Sequence, residues 1–307
     1  MPRLLVTGAS GLLGSHVVLA GLRRGFAVTA VCARHPVAFP GAETLRQDLD
    51  APDAPAVLAA QRPALILHCA ALADVDRCEA EPDRARRLNA LLPGQLAVIA
   101  RDLGARMLHV STDAVFAGRP GLPPRTEEDS PCPCNAYGAT KLEGERTVAE
   151  AGADSVTARV NFFGFSPQGR GLAAWILRRL EAGLEVPAFT DVVFTPLAAG
   201  DLAEILLDLL AGGAAGLFHV FGREAVSKYD FARALAAAFG HDTGLVRPTS
   251  VTQSALTAPR PRCLPMHSGR AEAFLGRAMP DLRQGIVCLL RQRDDGSIEQ
   301  LKGARAW

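Results

Sequence analysis

The sequence lacks a dominant sign of charge. Lysine and arginine number 33 against 32 aspartate and glutamate, a formal net charge of +1. Such a balance offers no broad basic field for nucleic acid and no acidic tail. Long apolar runs are also missing, and none approaches the roughly 20 residues a membrane-spanning helix needs. No membrane partner is therefore expected. The opening "MPRLLVTG" carries no extended apolar stretch of the kind found in a secretory leader, so the expected location is cytoplasmic. Seven cysteines are scattered without the spacing of a disulfide framework. "CPC" at 132–134 has no second Cys or His cluster near it, which argues against a metal or redox role. No internal repeat is visible.

What is present is an ordinary globular balance, 49% apolar and 21% charged, over 307 residues. That length can bury a large core as one α/β unit or two lobes. Short apolar runs alternate with helical stretches through the first half. "LLV" (4–6), "FAVTAV" (26–31), "ETLRQDL" (43–49), "ALILHCA" (64–70), "ARMLHV" (105–110) and "SVTARV" (155–160) read as strands. Helices are expected over 16–25, 54–60 and 81–103. Apolar strands separated by helices predict an α/β fold, a doubly wound parallel sheet of the Rossmann type. The second half reads as helices at 172–183, 201–212 and 227–240 with a strand at 217–222. We expect a nucleotide-binding domain over 1–165, with part of 190–222 returning to it. A smaller substrate-binding lobe is expected mainly from 166–290. The polar residues 291–307 are a candidate disordered tail.

Two local patterns carry chemistry. "TGASGLLGSH" (7–16) places Gly8, Gly11 and Gly14 where the first strand hands over to the first helix. Glycines there permit a tight turn and close backbone approach to a pyrophosphate, whose charge meets the helix N-terminus. A glycine triplet alone is weak, but one at this place in a βαβ pattern indicates dinucleotide binding. "NAYGATKLEGER" (135–146) sets Tyr137 and Lys141 one helical turn apart on one face.

With these motifs the chain resembles the extended short-chain dehydrogenase/reductase family, and most closely its dTDP-4-dehydrorhamnose reductase-like branch. The resemblance rests on Gly-x-x-Gly-x-x-Gly at 8–14, "QDLD" (47–50), "HCAA" (68–71), "RRLNALLPGQLA" (86–97), "STDAVF" (111–116) and the Tyr137/Lys141 pair. "FTPLAAGDLAEIL" (194–206) and "PRPRCL" (259–264) match more loosely. It implies Thr112, Tyr137 and Lys141 as the catalytic set. For the cofactor it implies Gly8, Ser10, Gly11, Leu12, Leu13, Asp48, Leu49, Cys69, Ala70, Ala71 and Asn89, together with Tyr137 and Lys141. For the substrate it implies Thr112, Asp113, Ala114, Asn161, Phe162 and Arg260, the last on a pyrophosphate. A tyrosine with a pKa near 10 donates poorly at neutral pH, and a neighbouring ammonium is expected to lower it.

The implied activity is reduction of a nucleotide-linked 4-keto-6-deoxy sugar. Dehydratases of the family carry Thr-Asp-Glu after the fifth strand, whereas this chain has Thr112-Asp113-Ala114. The branch usually has Tyr at the position of Ala114 and a Trp near Phe162, which leaves the sugar itself open. NAD-preferring members place an acid at the end of the second strand. Here stand Cys32, Ala33 and Arg34, so NADP, with NADPH preferred over NADH, is expected, and Arg34 is the residue to read the 2′-phosphate. No metal is expected, since Ser15-His16 stands where an acidic residue would follow the glycine loop. A nucleotide-sugar epimerase and a non-catalytic NADP-binding regulatory subunit remain alternatives, and a homodimer is compatible with the family.

Overall fold

A computed structural model describes residues 1–33, 35, 37–152, 154–253, 258–297 and 300–301. β1 (Arg3–Thr7), β2 (Ala27–Cys32), β3 (Glu43–Arg46), β4 (Leu65–His68), β5 (Arg106–Thr112) and β6 (Ser155–Val160) join one parallel sheet in the order β3-β2-β1-β4-β5-β6. The strand Gly216–Val220 adds a seventh position beside β6, also parallel. Strands covered on both faces read as continuous apolar runs, and β4 and β6 are buried at every residue. β3, at the edge, is polar and mostly exposed, which blunts it against further pairing.

The period-2 alternation of β1 distributes the core. Leu4 and Val6 point to one face, where Val17 and Val18 of the helix Leu12–Arg23 meet Leu202 and Leu206 of the helix Ala199–Ala211. Leu5 points to the other face, against Leu58, Leu92 and Leu96 from the helices Ala54–Ala60 and Leu92–Leu103. Strand order reverses between β1 and β4, and the crevice beyond the carboxyl ends of the strands opens at that point.

The single long helix expected over 81–103 is interrupted. Short helices Val75–Ala80 and Pro82–Arg86 lead into a π-helical turn, Arg87–Leu91, before Leu92–Leu103. Pro93 is the cause. It has no N–H to offer the carbonyl of Asn89 four residues earlier, and the N–H of Leu92 reaches back five residues to the carbonyl of Arg87 instead.

A smaller lobe has its own core. Phe163, Ile176, Leu180, Val186, Phe194, Phe231, Leu235 and Leu289 pack together. Phe231 meets Phe163 and Phe194 edge-on at 4.9 and 5.4 Å between centroids. It comprises the helices Leu172–Glu181, Lys228–Ala238 and Leu282–Asp294, with the parallel ladder Val186–Phe189/Val246–Thr249. Ser227 caps its helix by accepting from the amide of Asp230 at 2.9 Å. Between visits to this lobe the chain returns to the large sheet through residues 199–220. Arg291 lies within the last long helix, and Leu301 is buried against the main core.

Candidate active site

The glycine loop lies close against the segment that follows β4. Gly8 has φ +69°, and a Cβ on it would sit 2.9 Å from the backbone of Ala70. A Cβ on Gly14 would fall 2.2 Å from the carbonyl oxygen of Gly8. Only glycine fits either place, so the loop forms a backbone-walled cradle at the start of the helix Leu12–Arg23. Gly11 caps this helix without a side-chain bond, leaving its first-turn amides to an anion. Ser10 is half-buried, as is Leu12, while Leu13 is buried. Cys69 and Ala70 are partly covered and Ala71 is exposed. Asp48 is exposed after β3, where its carboxylate accepts from the amide of Asp50 at 3.1 Å, and Leu49 is half-buried beside it. Arg34 lies outside the described residues.

Tyr137 and Lys141 stand on the helix Ala136–Glu150. Its N-cap, Asn135, accepts from the amide of Gly138 at 2.8 Å and donates to the carbonyl of Pro259 at 2.9 Å. Tyr137 is half-buried near the carboxyl end of β5, with the Thr112 hydroxyl beside its phenol. Thr112 donates to Asp113 Oδ1 at 3.2 Å and accepts from the amide of Ala114 at 3.1 Å. Asn161 donates to Asp113 Oδ2 at 2.6 Å. Phe162, half-buried, pairs with Leu197 in a short parallel ladder. Thr112, Asp113, Ala114, Tyr137 and Asn161 are thus brought together at one end of the sheet.

The expected lowering of the phenol pKa is not what this site shows. Burial pushes Tyr137 up to about 12, with the Thr112 hydrogen bond opposing it. Lys141 is turned into the sheet. Its ammonium donates to the carbonyl of Val110 at 2.7 Å and lies 3.3 Å from His109 Nε2. Burial brings it down to about 8, with Glu145 opposing. The spacing in sequence puts phenol and ammonium on one helix face, but the carbonyl of Val110 and the ring of His109, both on β5, claim the ammonium.

Asn89 is fully buried and its amide is spent on the protein. It accepts from the amide of Leu72 at 2.8 Å and donates to the carbonyl of Leu72 at 3.1 Å and to Thr140 at 3.2 Å. It therefore staples the loop after β4 to the tyrosine helix. Arg260 pairs with Asp76 at 2.8 Å, and its Nη1 is buried without a partner among the described residues.

Sequence reasoning missed three groups. Glu145, one turn beyond Lys141, forms a buried bidentate pair with Arg159 of β6 at 2.9 and 2.7 Å and accepts from Ser111 at 2.5 Å. Arg159 continues to His219 at 3.3 Å. His68 and His109 stack at 5.5 Å between centroids behind Lys141, and burial holds both well below the usual histidine range. Lys228 lies over the Phe194 ring at 3.1 Å from its centroid. Arg159 in the buried strand "SVTARV" and the histidines in the apolar runs "LILH" and "MLHV" were the available signals for the first two. Among the described residues no cluster of His, Cys, Asp and Glu could hold a metal ion.

A glycine-loop crevice at the switch point of a doubly wound sheet, with a tyrosine and a hydroxyl residue at the end of β5, defines a Rossmann-type dehydrogenase/reductase fold. Residues 2–294 match the family of the RmlD substrate binding domain, and the chain belongs to that family. It is 34% identical to the probable low-salt glycan biosynthesis reductase Agl14 of Haloferax volcanii, covering 92% of this chain and 96% of that one. It is 36% identical to a dTDP-4-dehydrorhamnose reductase of Streptomyces griseus, covering 89% and 88%. Identity to the mouse methionine adenosyltransferase 2 subunit beta is 32%, over 92% and 86%. A structure of dTDP-4-dehydrorhamnose reductase from Bacillus anthracis, in complex with NADP, superposes with a TM-score of 0.83 at 24% identity, covering 95% and 99%.

Proposed function

We propose that this protein is an NADPH-dependent ketoreductase that reduces the C4 ketone of a nucleotide-linked 6-deoxy sugar. The observation that carries the reading is the hydrogen-bonded series Thr112, Asp113 and Asn161 at the end of β5, with Tyr137 beside Thr112 and a glycine cradle across the crevice. Curated relatives include reductases of this kind.

The backbone cradle at Gly8 and Gly14 suits a dinucleotide pyrophosphate, and Ser10, Gly11, Leu12 and Leu13 would line it with Cys69, Ala70 and Ala71 across the crevice. Asp48, Leu49 and Arg34 belong to the adenosine end in this reading. The nicotinamide, when bound, supplies hydride to the carbonyl carbon. The protein's part is to hold the ketone and deliver one proton. With its pKa near 12, Tyr137 keeps its proton at neutral pH. A ketone oxygen placed against the phenol receives that proton as negative charge builds on the carbonyl. Thr112 in turn swings its own proton from Asp113 to the same oxygen. Lys141, brought to about 8 and held by the carbonyl of Val110, keeps a positive charge below the phenol's helix rather than touching the phenol. Ala114 leaves room beside the sugar, and Arg260, with one Nη unpartnered among the described residues, suits the pyrophosphate of the substrate.

The reading is tested by following NADPH oxidation with a panel of nucleotide 4-keto-6-deoxy sugars. Turnover with at least one, producing the alcohol, is expected. Interconversion of epimers without net NADPH consumption would make it an epimerase. A second reading, a non-catalytic nucleotide-binding subunit, is favoured by the similarity to the methionine adenosyltransferase subunit. Absence of turnover with the whole panel, together with co-purification of a second enzyme, would establish that one instead.

A further inference from the structure

Tyr137 lies in the first turn of its helix, so the helix start decides where the phenol stands. That start is closely held. A Cβ on Gly138 would fall 2.2 Å from the carbonyl oxygen of Ala114, so the first turn rests on the segment that carries Thr112 and Asp113. Ala136 and Tyr137 also pack against a small core of Leu72, Cys78 and Ala85. Two carboxylates of the short helix Val75–Ala80 reach in different directions. Glu79 accepts from the amide of Ala136 at 2.8 Å. Asp76 accepts from the amide of Ala258 at 2.9 Å and from Arg260 at 2.8 Å. Asn135 closes the ring by donating to the carbonyl of Pro259 at 2.9 Å. The tyrosine helix and the segment 258–260 are thus joined directly and again through one turn of a third element.

Asn135 does more here than a helix cap requires. A cap needs one acceptor, which serine, threonine or aspartate would supply as well. The side-chain amide adds donors at its other end. Its Oδ1 takes the N–H of Gly138 while its Nδ2 goes to Pro259, and the two partners fix which end is which. The residue is buried, so a bond lost there is not replaced by bulk water. We propose that Asn135 is a positioning residue that registers the proton donor Tyr137 against the substrate-holding segment at Arg260. The roles of those two residues rest on the reductase reading. Tyr137 follows Asn135 by two residues, and Arg260 follows Pro259 by one, so the joint leaves little slack between them. Displacing a reacting group by about 1 Å can cost on the order of a hundredfold in rate.

Asn135→Asp separates the two bonds. It keeps an acceptor for Gly138 and remains a good cap, but it sets a carboxylate against the carbonyl of Pro259. Turnover of the panel of nucleotide 4-keto-6-deoxy sugars, dTDP-4-dehydrorhamnose first, is measured beside urea unfolding and amide hydrogen exchange. Asn135→Asp should keep the wild-type urea midpoint and bind NADPH within about twofold, yet lose roughly tenfold to a hundredfold in kcat/KM for the sugar, the scale of one buried polar group left unpaired. Amides over 258–264 should exchange faster in it than in the wild type. Asn135→Ala, which loses both bonds, should lower the midpoint as well. An aspartate variant with wild-type kcat/KM, with unchanged exchange over 258–264, or with a midpoint lowered as far as that of Asn135→Ala would overturn the proposal. Faster exchange at an unchanged midpoint, when the wild type turns over no sugar of the panel, would support the joint while defeating the reductase reading. Wild-type turnover that Asn135→Asp fully retains would do the reverse.

Discussion

Replacing Arg159 with methionine should cost far more than an ordinary charge deletion. Glu145 and Arg159 have side chains 8% and 3% exposed, so water cannot replace the lost partner. The substitution removes hydrogen bonds of 2.9 and 2.7 Å and leaves Glu145 with Ser111 alone. Stranding one member of a buried pair costs about 3–5 kcal/mol. That is a large share of a stability on the order of 5–15 kcal/mol. Equilibrium urea unfolding, followed by far-ultraviolet circular dichroism, measures it. The double replacement Glu145→Met with Arg159→Met removes the stranded charge and should recover most of the loss. A single-variant penalty below about 1 kcal/mol, the scale of an exposed pair, would show that the pair is not desolvated as the structure has it.

Tyr137→Phe should lower kcat by roughly a hundredfold to ten-thousandfold, the usual range for removing a general acid, with NADPH affinity nearly unchanged; near-full turnover would remove Tyr137 as the proton donor. Arg34→Ala should shrink the ratio of kcat/KM for NADPH over NADH, and a wild type that uses both equally would show that Arg34 does not read the phosphate. Lys141 titrates at about 8 in the fold against an ordinary 10.5, so between those values the unfolded chain binds more protons and stability rises with pH. The penalty is full below pH 8 and is gone above 10.5. In the cofactor-free protein, the wild type should therefore gain on Lys141→Met by about 2 kcal/mol between pH 8 and 10, at 1.36 kcal/mol per pKa unit. A gap in urea midpoints that stays constant over that range would contradict the buried placement of the ammonium.

The parts of the fold legible in the sequence are those whose signal is local. Strand and helix periods, the glycine loop and the Tyr137/Lys141 spacing each lie within one or two turns of chain. Where distant segments compete for one group, the sequence offers no arbiter. Lys141 faces Tyr137 by helical geometry, but the carbonyl of Val110, 31 residues away, takes its ammonium. Asn89 stands where a cofactor contact was expected, and its bonds go to Leu72 and Thr140, 17 and 51 residues off. The Glu145 cluster draws on β5, the tyrosine helix, β6 and the strand Gly216–Val220, so none of these segments announces it alone. The two-residue ladders of the small lobe are too short to have a period at all.

The late return of Gly216–Val220 to the large sheet has a consequence during synthesis. β6 is buried at all six residues in the finished protein, yet its partner strand is made more than fifty residues after it. At about 5–20 residues per second on the ribosome, β6 waits roughly 3–12 s as an open edge. Such edges invite pairing with another chain. A nascent chain stopped near residue 165 would hold the glycine loop, Thr112, Tyr137 and Lys141, and still present that edge. Its solubility, more than its chemistry, would depend on whatever covers β6 until residue 220 emerges.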